Sequence, residues 1–333
     1  MYKKLKLYRF VTVFAYCKSS WSNSAFVKTK CPTKNRLYIY FDLIYWFVFH
    51  GFDFNDYCTF RFWNKSAQER KTYISLRKNN NHLTLMFSTP VAVQLFRDKS
   101  SFNQRFAPYV HRAWITTAGH GWNEISNFIH RQKNVIVKPI DLACGVGIFK
   151  VDDSESQLDM LRRRIFEGGG NFIIESIVEN HQSLKILAPA SLNTVRIVTV
   201  IDKDQELHIV AALLRCGNGR STTDNFHSGG MACPIDLETG KLTAVAYGQE
   251  CMEYTEHPYS HIKFDGYEIP CFQDLMQMVR EVAFCVPEAR YVGWDLAITP
   301  DGIELIEGNI PPGEDITQIY TGKGILYQLL EWK

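Results

Sequence analysis

Apolar and polar residues alternate on both sides of a TPDG at 299–302, so that YVGWDLAITPDGIELIEGN at 291–309 predicts a β-hairpin. With Pro300, Asp301 and Gly302 as a three-residue loop and the glycine left-handed, Thr299 pairs with Ile303 and Asp295 stands opposite Glu307. Asn309 follows on that face, shared with Ala297, Ile303 and Leu305, because side chains alternate with period two. The same alternation predicts strands at 171–175, 191–201 and 206–216, and hairpins at 135–151 and 232–247, the latter turning at Glu238, Thr239 and Gly240. Helical spacing marks 154–166, then 273–286 before Pro287, and a short segment beyond Asp98 and Lys99 where Phe102, Phe106 and Tyr109 recur. Residues 37–51, LYIYFDLIYWFVFHG, are the most apolar run; it is too short to span a bilayer and contains Asp42, which predicts a buried helix. A helix followed by a loop is expected over 64–81.

Two carboxylates on paired strands lie about 5 Å apart, and among apolar neighbours their charges repel. A shared proton or a bound cation removes the conflict, and two carboxylates with an amide oxygen are hard donors suited to magnesium. A solvated edge hairpin with Glu307 turned outward is the alternative that this stretch leaves open.

DLACGVG at 141–147 admits two readings. It matches the strand-end glycine motif of methyltransferases that bind S-adenosylmethionine, but there a full helix follows the glycines, whereas here Asp152 comes after only GIFKV. The other reading is a hairpin, VIVKP then GIFKV, with 141–147 as a flexible tip whose amides can fold over phosphate oxygens. Lys138 would then point beneath the tip, where a nucleotide phosphate would satisfy it. No GxxxxGK[ST] P-loop occurs. Arg196 alternates with Val195 and Ile197 and so sits on a sheet face, Arg215 lies at the end of its strand, and Lys99 taken alone is a surface lysine. The four-glycine loop GNGRSTTDNFHSGG at 217–230 is a length unusual between strands unless it covers a ligand.

The 333 residues, 46% of them apolar, suffice for two or three subdomains with sizeable cores. Nine cysteines with no CxxC pair and no Cys/His cluster at zinc spacing point to a reducing compartment without disulfides. Residues 1–36 hold nine Lys and Arg and no acid, while the remainder holds 28 basic against 35 acidic residues. This arm is expected as a solvated, poorly ordered tail, with anionic lipid or nucleic acid as the competing partners for its charge. Its apolar patch is brief and Tyr16 before Cys17 spoils a lipoprotein-type cleavage site, so no signal peptide is expected.

Taken in order, DK at 98–99, VIVKP with its glycine tip, FIIE, NTVRI, DN with GG, and WD with EGN resemble the ATP-grasp superfamily, in particular the sugar-transfer associated ATP-grasp family. The likeness runs from about residue 91 to the C-terminus, and SLNTVRIVT, DNFHSGG, IDLETG, HPYS, GWDLAI and LIEGN make it specific. It implies an α+β fold, two subdomains whose antiparallel sheets clasp ATP. The segments would be a basic arm 1–36, a helical or mixed region 37–92, and an ATP-grasp domain 93–333 with a nucleotide-binding part 93–175 and a catalytic and metal-binding part 176–333. By the same resemblance, Lys99 and Lys138 would hold phosphate oxygens, Gly145 and Gly147 would close the flap, and the backbone after Glu175, near Val178, would meet adenine. Asp295, Glu307 and Asn309 fall on magnesium positions, and Arg196 and Arg215 fall where basic residues meet the transferring phosphate. Asn225 with Gly229 and Gly230 resembles the loop beside the reacting carboxylate in glutathione synthetases and ribosomal-protein glutamate ligases. Gly293 departs from the pattern, since D-alanine:D-alanine ligases carry an arginine there.

The implied activity is an ATP- and magnesium-dependent carboxylate–amine ligase that passes through an acyl phosphate, decorating a cell-surface saccharide or its precursor with an amino acid. Its partners would be a carboxylate and an amine substrate and a glycosyltransferase system, with no nucleic acid and no transmembrane segment. The expected location is cytoplasmic, peripheral to the membrane if the arm docks there. A nucleotide-binding partner without catalysis is the competing class, disfavoured because a retired site has no reason to keep Asp295 opposite Glu307. His257, Tyr259 and Lys263 are candidates for substrate contact, against the plainer role of capping a loop.

Overall fold

The computed structural model describes residues 2–75, 80–141, 147–219, 224, 226, 229–249 and 252–333, with side chains from residue 12 onward except 80 and 81. The chain forms two compact units: Met1–Met86 with Gln249–Met252 and Gly313–Lys333, and Phe87–Gly248 with Glu253–Pro312. The residues beyond Pro312 thus group with the N-terminal ones, where the sequence reading keeps them within 93–333.

The first unit is helical. Helix α1 (Tyr2–Lys30) is followed by α2 (Arg36–Tyr45), which runs on through one wide π turn, Trp46–His50, to a left-handed Gly51. The segment expected as a poorly ordered tail is therefore helical from Tyr2 to Lys30, with a turn before α2. Tertiary packing supplies what its composition does not: Ser20, Ser24 and Val27 are buried, and Tyr16 stacks on Phe47 with ring centroids 3.7 Å apart. Residues 37–51 are helical as expected but only half buried. Ile39, Leu43, Trp46 and Phe47 face inward, whereas Leu37, Tyr38, Phe41, Tyr45, Val48 and Phe49 are exposed. Asp42 is accommodated by turning inward, where it accepts from Arg70 at 2.8 Å, Tyr57 Oη at 2.6 Å and Trp46 Nε1 at 3.1 Å. Gln318 pairs with both backbone groups of Ile74, at 2.7 and 3.1 Å, and so ties the C-terminal residues into this unit.

The second unit holds two antiparallel sheets. Strands β1 (Trp114–Thr116), β2 (Asn134–Pro139), β3 (Phe149–Asp152) and β4 (Phe172–Ser176) assemble in the order β1-β4-β2-β3. Helices Trp122–Gln132 and Glu155–Phe166 cover one face, where Ile125, Ile129, Val135, Val137, Leu161 and Ile174 form the core. Pairing of Val137 with Phe149 makes 135–151 the hairpin, which removes the methyltransferase alternative because a strand stands where that fold needs a helix.

Strands β5 (Thr194–Ile201), β6 (Leu207–Cys216), β7 (Met231–Pro234), β8 (Ala246–Tyr247), β9 (Glu253–Tyr254), β10 (Tyr291–Thr299) and β11 (Gly302–Asn309) form the second sheet, ordered β11-β10-β5-β6-β7-β8-β9. Val195, Ile197, Leu214, Leu296, Ile303 and Leu305 join one core with the helix Phe272–Val282, which ends four residues before the predicted boundary. Thr194, Arg196, Arg215, Asp295 and Ala297 pair with one another across β5, β6 and β10 and so share the opposite face.

The β10–β11 turn differs from the predicted one. Thr299 pairs with Gly302, so the connection is Pro300 and Asp301 alone, one residue shorter than expected. A bulge restores the count: Leu296 faces Leu305, Asp295 faces Glu307, and Ile306 is the extra residue between them. The two displacements cancel at the carboxylates but not before them. Ile303 and Leu305 turn to the core face, and Glu304, opposite Ala297, joins the carboxylate face in their place.

Candidate active site

Asp295 is buried on β10 and held by two arginines from neighbouring strands. Arg196 donates through Nε to Oδ1 and through Nη2 to Oδ2 at 2.8 Å, and Arg215 donates from Nη1 to Oδ2 at 2.8 Å. Burial alone would raise its pKa, but the two guanidinium groups hold Asp295 well below the usual carboxylate range. Glu307, hydrogen-bonded to Asp295, is shifted the other way: burial and the Asp295 charge push its pKa up. The opposite directions of the two shifts are those of a like-charge pair in which one member is held by arginines and the other is not. Asn309 Nδ2 lies 3.3 Å from both Asp295 Oδ2 and Glu307 Oε1, so acid, acid and amide converge on one spot. Among the described residues no group of three or more His, Cys, Asp or Glu gathers as a metal site, and this set differs in having an amide as its third member. The carboxylate oxygens suit a hard divalent cation, whereas Asn309 turns its Nδ2 toward them and would offer its oxygen only with the amide turned over.

Arg196 also donates from Nη1 to the carbonyl of Pro312 at 2.8 Å. That contact is open because position 293 is glycine: a Cβ there would stand 2.8 Å from Pro312 O. An arginine at 293 does not fit this backbone. Arg215 makes a second ion pair with Asp224, 3.4 Å from Nη2, and Thr194 Oγ1 donates to the other oxygen of Asp224. Burial nonetheless pushes the Asp224 pKa up. Arg215 Nε is buried with no hydrogen-bond partner among the described residues, an unused donor beside this cluster.

The two lysines come from different elements: Lys138 from β2 of the four-stranded sheet, and Lys99 from the first turn of the helix Lys99–Arg105. Lys138 lies on the sheet face away from the helices and pairs with Glu175 at 2.5 Å. Lys99 donates to the carbonyls of Pro139 and Ile140 at 3.0 and 3.4 Å, at the base of the flap. Burial lowers its pKa; Glu307, Lys138 and Glu175 all act on it, which places the two lysines and the Glu307 carboxyl within electrostatic reach. Gly147, at φ +75°, opens the turn into β3, while Gly145 and Asn225 lie outside the described residues. Val178 borders a cleft of about 810 Å³ lined also by Arg112, Glu304 and the β10–β11 turn, but not by the two lysines, Asp295 or Glu307. Of the candidate substrate contacts, His257 is fully buried, with Nε2 2.8 Å from the Gly217 carbonyl and Nδ1 accepting from the Tyr259 and Ser260 amides. That is a loop cap. Tyr259 and Lys263 are exposed.

Sequence reading missed Arg112, Asn103 and Glu304. Glu175, expected only as the residue before a backbone stretch that meets adenine, accepts from Arg112 Nε at 2.8 Å and Asn103 Nδ2 at 2.9 Å and pairs with Lys138. These partners keep its pKa far below normal despite complete burial. Arg112 uses all five donors, with Nη1 to Glu304 Oε1 and Leu305 O, both 2.7 Å, and Nη2 to Asn103 Oδ1 at 2.9 Å and Ile306 O at 3.0 Å. Ile306 is the bulge residue, so Arg112 holds the irregularity that sets Asp295 against Glu307. The one available signal was GIELIEGN itself, where Glu304 and Glu307 are three apart and cannot share the face of a regular strand.

Among curated proteins no relative matches the sequence. Among solved structures, D-alanyl-alanine synthetase A from Vibrio cholerae is 13% identical with a TM-score of 0.44, covering 71% of this chain and 62% of its own. The D-alanine–D-alanine ligase of Helicobacter pylori is 10% identical with a TM-score of 0.49, covering 78% and 70%, and the ATP-grasp ligase PsnB is 12% identical at 0.43, covering 74% and 64%. The chain thus spans less than two thirds of the Vibrio cholerae enzyme's length. The family model for sugar-transfer associated ATP-grasp proteins matches residues 78–332, most of the chain, and the protein belongs to that family.

Proposed function

We propose that the protein is an ATP- and magnesium-dependent carboxylate–amine ligase that attaches an amino acid to a saccharide or saccharide precursor. The observation that supports this reading best is the convergence of Asp295, Glu307 and Asn309 on one spot, with Lys99 close enough for the Glu307 charge to act on it. Asp295, Glu307 and Asn309 would hold the metal, which when bound would neutralise the two acids and supply positive charge to the phosphates. Lys99 and Lys138 would bind phosphate oxygens, Lys138 keeping Glu175 as its counter-charge. Arg196 and Arg215 keep Asp295 ionised, and Arg215 has a donor left for the transferring phosphoryl group. The substrate carboxylate would attack the γ-phosphoryl group, releasing ADP and forming an acyl phosphate. The amine would then displace phosphate, lose its proton and leave an amide. Such a reaction asks for positioning and charge stabilisation more than for a protein nucleophile, which matches a site made of lysines, arginines and acids. The saccharide rests on the sugar-transfer association of the family.

The test is a screen for ADP release across uronic acids, amino acids and nucleotide sugars, with mass measurement of the product. A coupled amide weighs the sum of the two substrates less one water. ATP with magnesium is expected to raise the melting temperature by mass action, and S-adenosylmethionine is not. No ADP from any pair, together with no shift by ATP, would sink the proposal.

A further inference from the structure

The outward side of α2 has no function in the site described above. Leu37, Tyr38, Phe41, Tyr45, Val48 and Phe49 follow the spacing of a single helical stripe and are 54, 52, 64, 48, 43 and 61% exposed. The only acid in residues 36–51 is Asp42, and it is turned inward to Arg70, so this stripe presents no carboxylate. Helix α1 runs antiparallel beside it, because Trp21 meets Tyr40 near the start of α2 and Tyr16 stacks on Phe47 near its end. Along α1, Phe14, Lys18 and Trp21 are exposed at helical spacing. Cations sit on the exposed rings: Arg36 lies 4.0 Å from the centre of the Trp21 ring and Lys34 lies 5.1 Å from that of Tyr38.

We infer that this helical hairpin docks on an anionic membrane surface, with the α2 stripe entering the headgroup boundary and Lys18 and Lys34 beside it facing the lipid phosphates. Two observations select that occupant. Nine cations and no acid within residues 1–36 complement a negatively charged leaflet, and would repel a second copy of the same face across a two-fold axis. The stripe also mixes tyrosine, phenylalanine and aliphatic side chains with a tryptophan and lysines beside it, the composition of interfacial anchors. None of the described helices is long and apolar enough to cross a bilayer. The inference does not depend on the ligase reading.

Flotation of the full chain with vesicles tests it. The protein is expected to float with phosphatidylcholine vesicles rich in phosphatidylglycerol, to stay behind with phosphatidylcholine alone, and to be released by high salt. Replacing both Phe41 and Phe49 with serine should cut the bound fraction at least about tenfold, given the apolar area each ring would lose. Both side chains already face solvent, so the melting temperature should hold. If that variant nevertheless fails to fold, Lys18→Glu with Lys34→Glu decides, and should likewise abolish flotation. Wild-type protein that ignores the phosphatidylglycerol vesicles at low salt overturns the inference. So does a dimer in light scattering that the serine substitutions dissolve, which would give the face to a second copy.

Discussion

Two clusters of buried acids and arginines lie a few residues apart along β11, and they are finished to different degrees. Around Arg112, every donor has an acceptor, and Glu175 and Glu304 are both held by several partners. Around Asp295, one carboxylate is fully held by two arginines, while its neighbour Glu307 is driven toward its protonated form and Arg215 Nε has nothing to bind among the described residues. A closed network is scaffold, since any added ligand would have to break a bond. An open one has charge and donors left for a ligand. Arg112 joins the two, because it fastens the Ile306 carbonyl and so fixes the bulge that aligns Asp295 with Glu307.

The largest expected effect falls on the open cluster. Glu307→Gln should reduce ADP release by about a thousandfold or more, as expected for a lost metal ligand and transition-state charge stabilisation. Because it also removes a like-charge conflict, the ligand-free variant should melt no lower than wild type, and calorimetry beside the activity assay checks both halves. Substitution in the closed cluster should invert that pattern: Arg112→Met takes from Glu175 and Glu304 their shared buried guanidinium and should cost about 3–5 kcal/mol in denaturant titrations. A variant that melted normally would show that the network is not the scaffold we take it for.

Lys138→Met probes the border between the clusters. Glu175 would keep Arg112 and Asn103, so stability should fall modestly while the KM for ATP rises by roughly tenfold, a split that steady-state kinetics resolves. The smallest effect concerns a third carboxylate, with no arginine on it and the buried Asp315 next to it in the chain. Glu314 is fully buried in the first unit, neither oxygen has a hydrogen bond among the described residues, and burial pushes its pKa up to about 8. The folded chain therefore binds a proton that the unfolded chain releases above its ordinary value of 4.5, and stability is lost as pH rises from there toward 8. Glu314→Gln should abolish that loss, melting like wild type at acidic pH and a few degrees higher at pH 8. Equal melting at both values would place a partner on Glu314.

The reach of sequence reading differed between these regions for identifiable reasons. The open cluster was legible because its members sit on strands whose alternation is visible in the chain, and strand pairing brings Asp295 to Glu307. It was legible partly by cancellation, since the turn is one residue short and the bulge one residue long. The closed cluster was invisible: Arg112 precedes a strand of three residues, in a segment with no periodicity, and meets Glu304 nearly two hundred positions away. On α1, a run without acids read as a solvated tail, because nothing local announces that Tyr16 will stack on Phe47.

The sequence by itself determined the strands, the family and the acids, lysines and arginines of the candidate site, because side-chain alternation and motif order are properties of neighbouring residues. Only the tertiary structure decided which of those charges are already satisfied and which are left over. The reason is physical: whether a buried charge is at rest depends on every donor and acceptor within about 3 Å, and most of those arrive from distant parts of the chain.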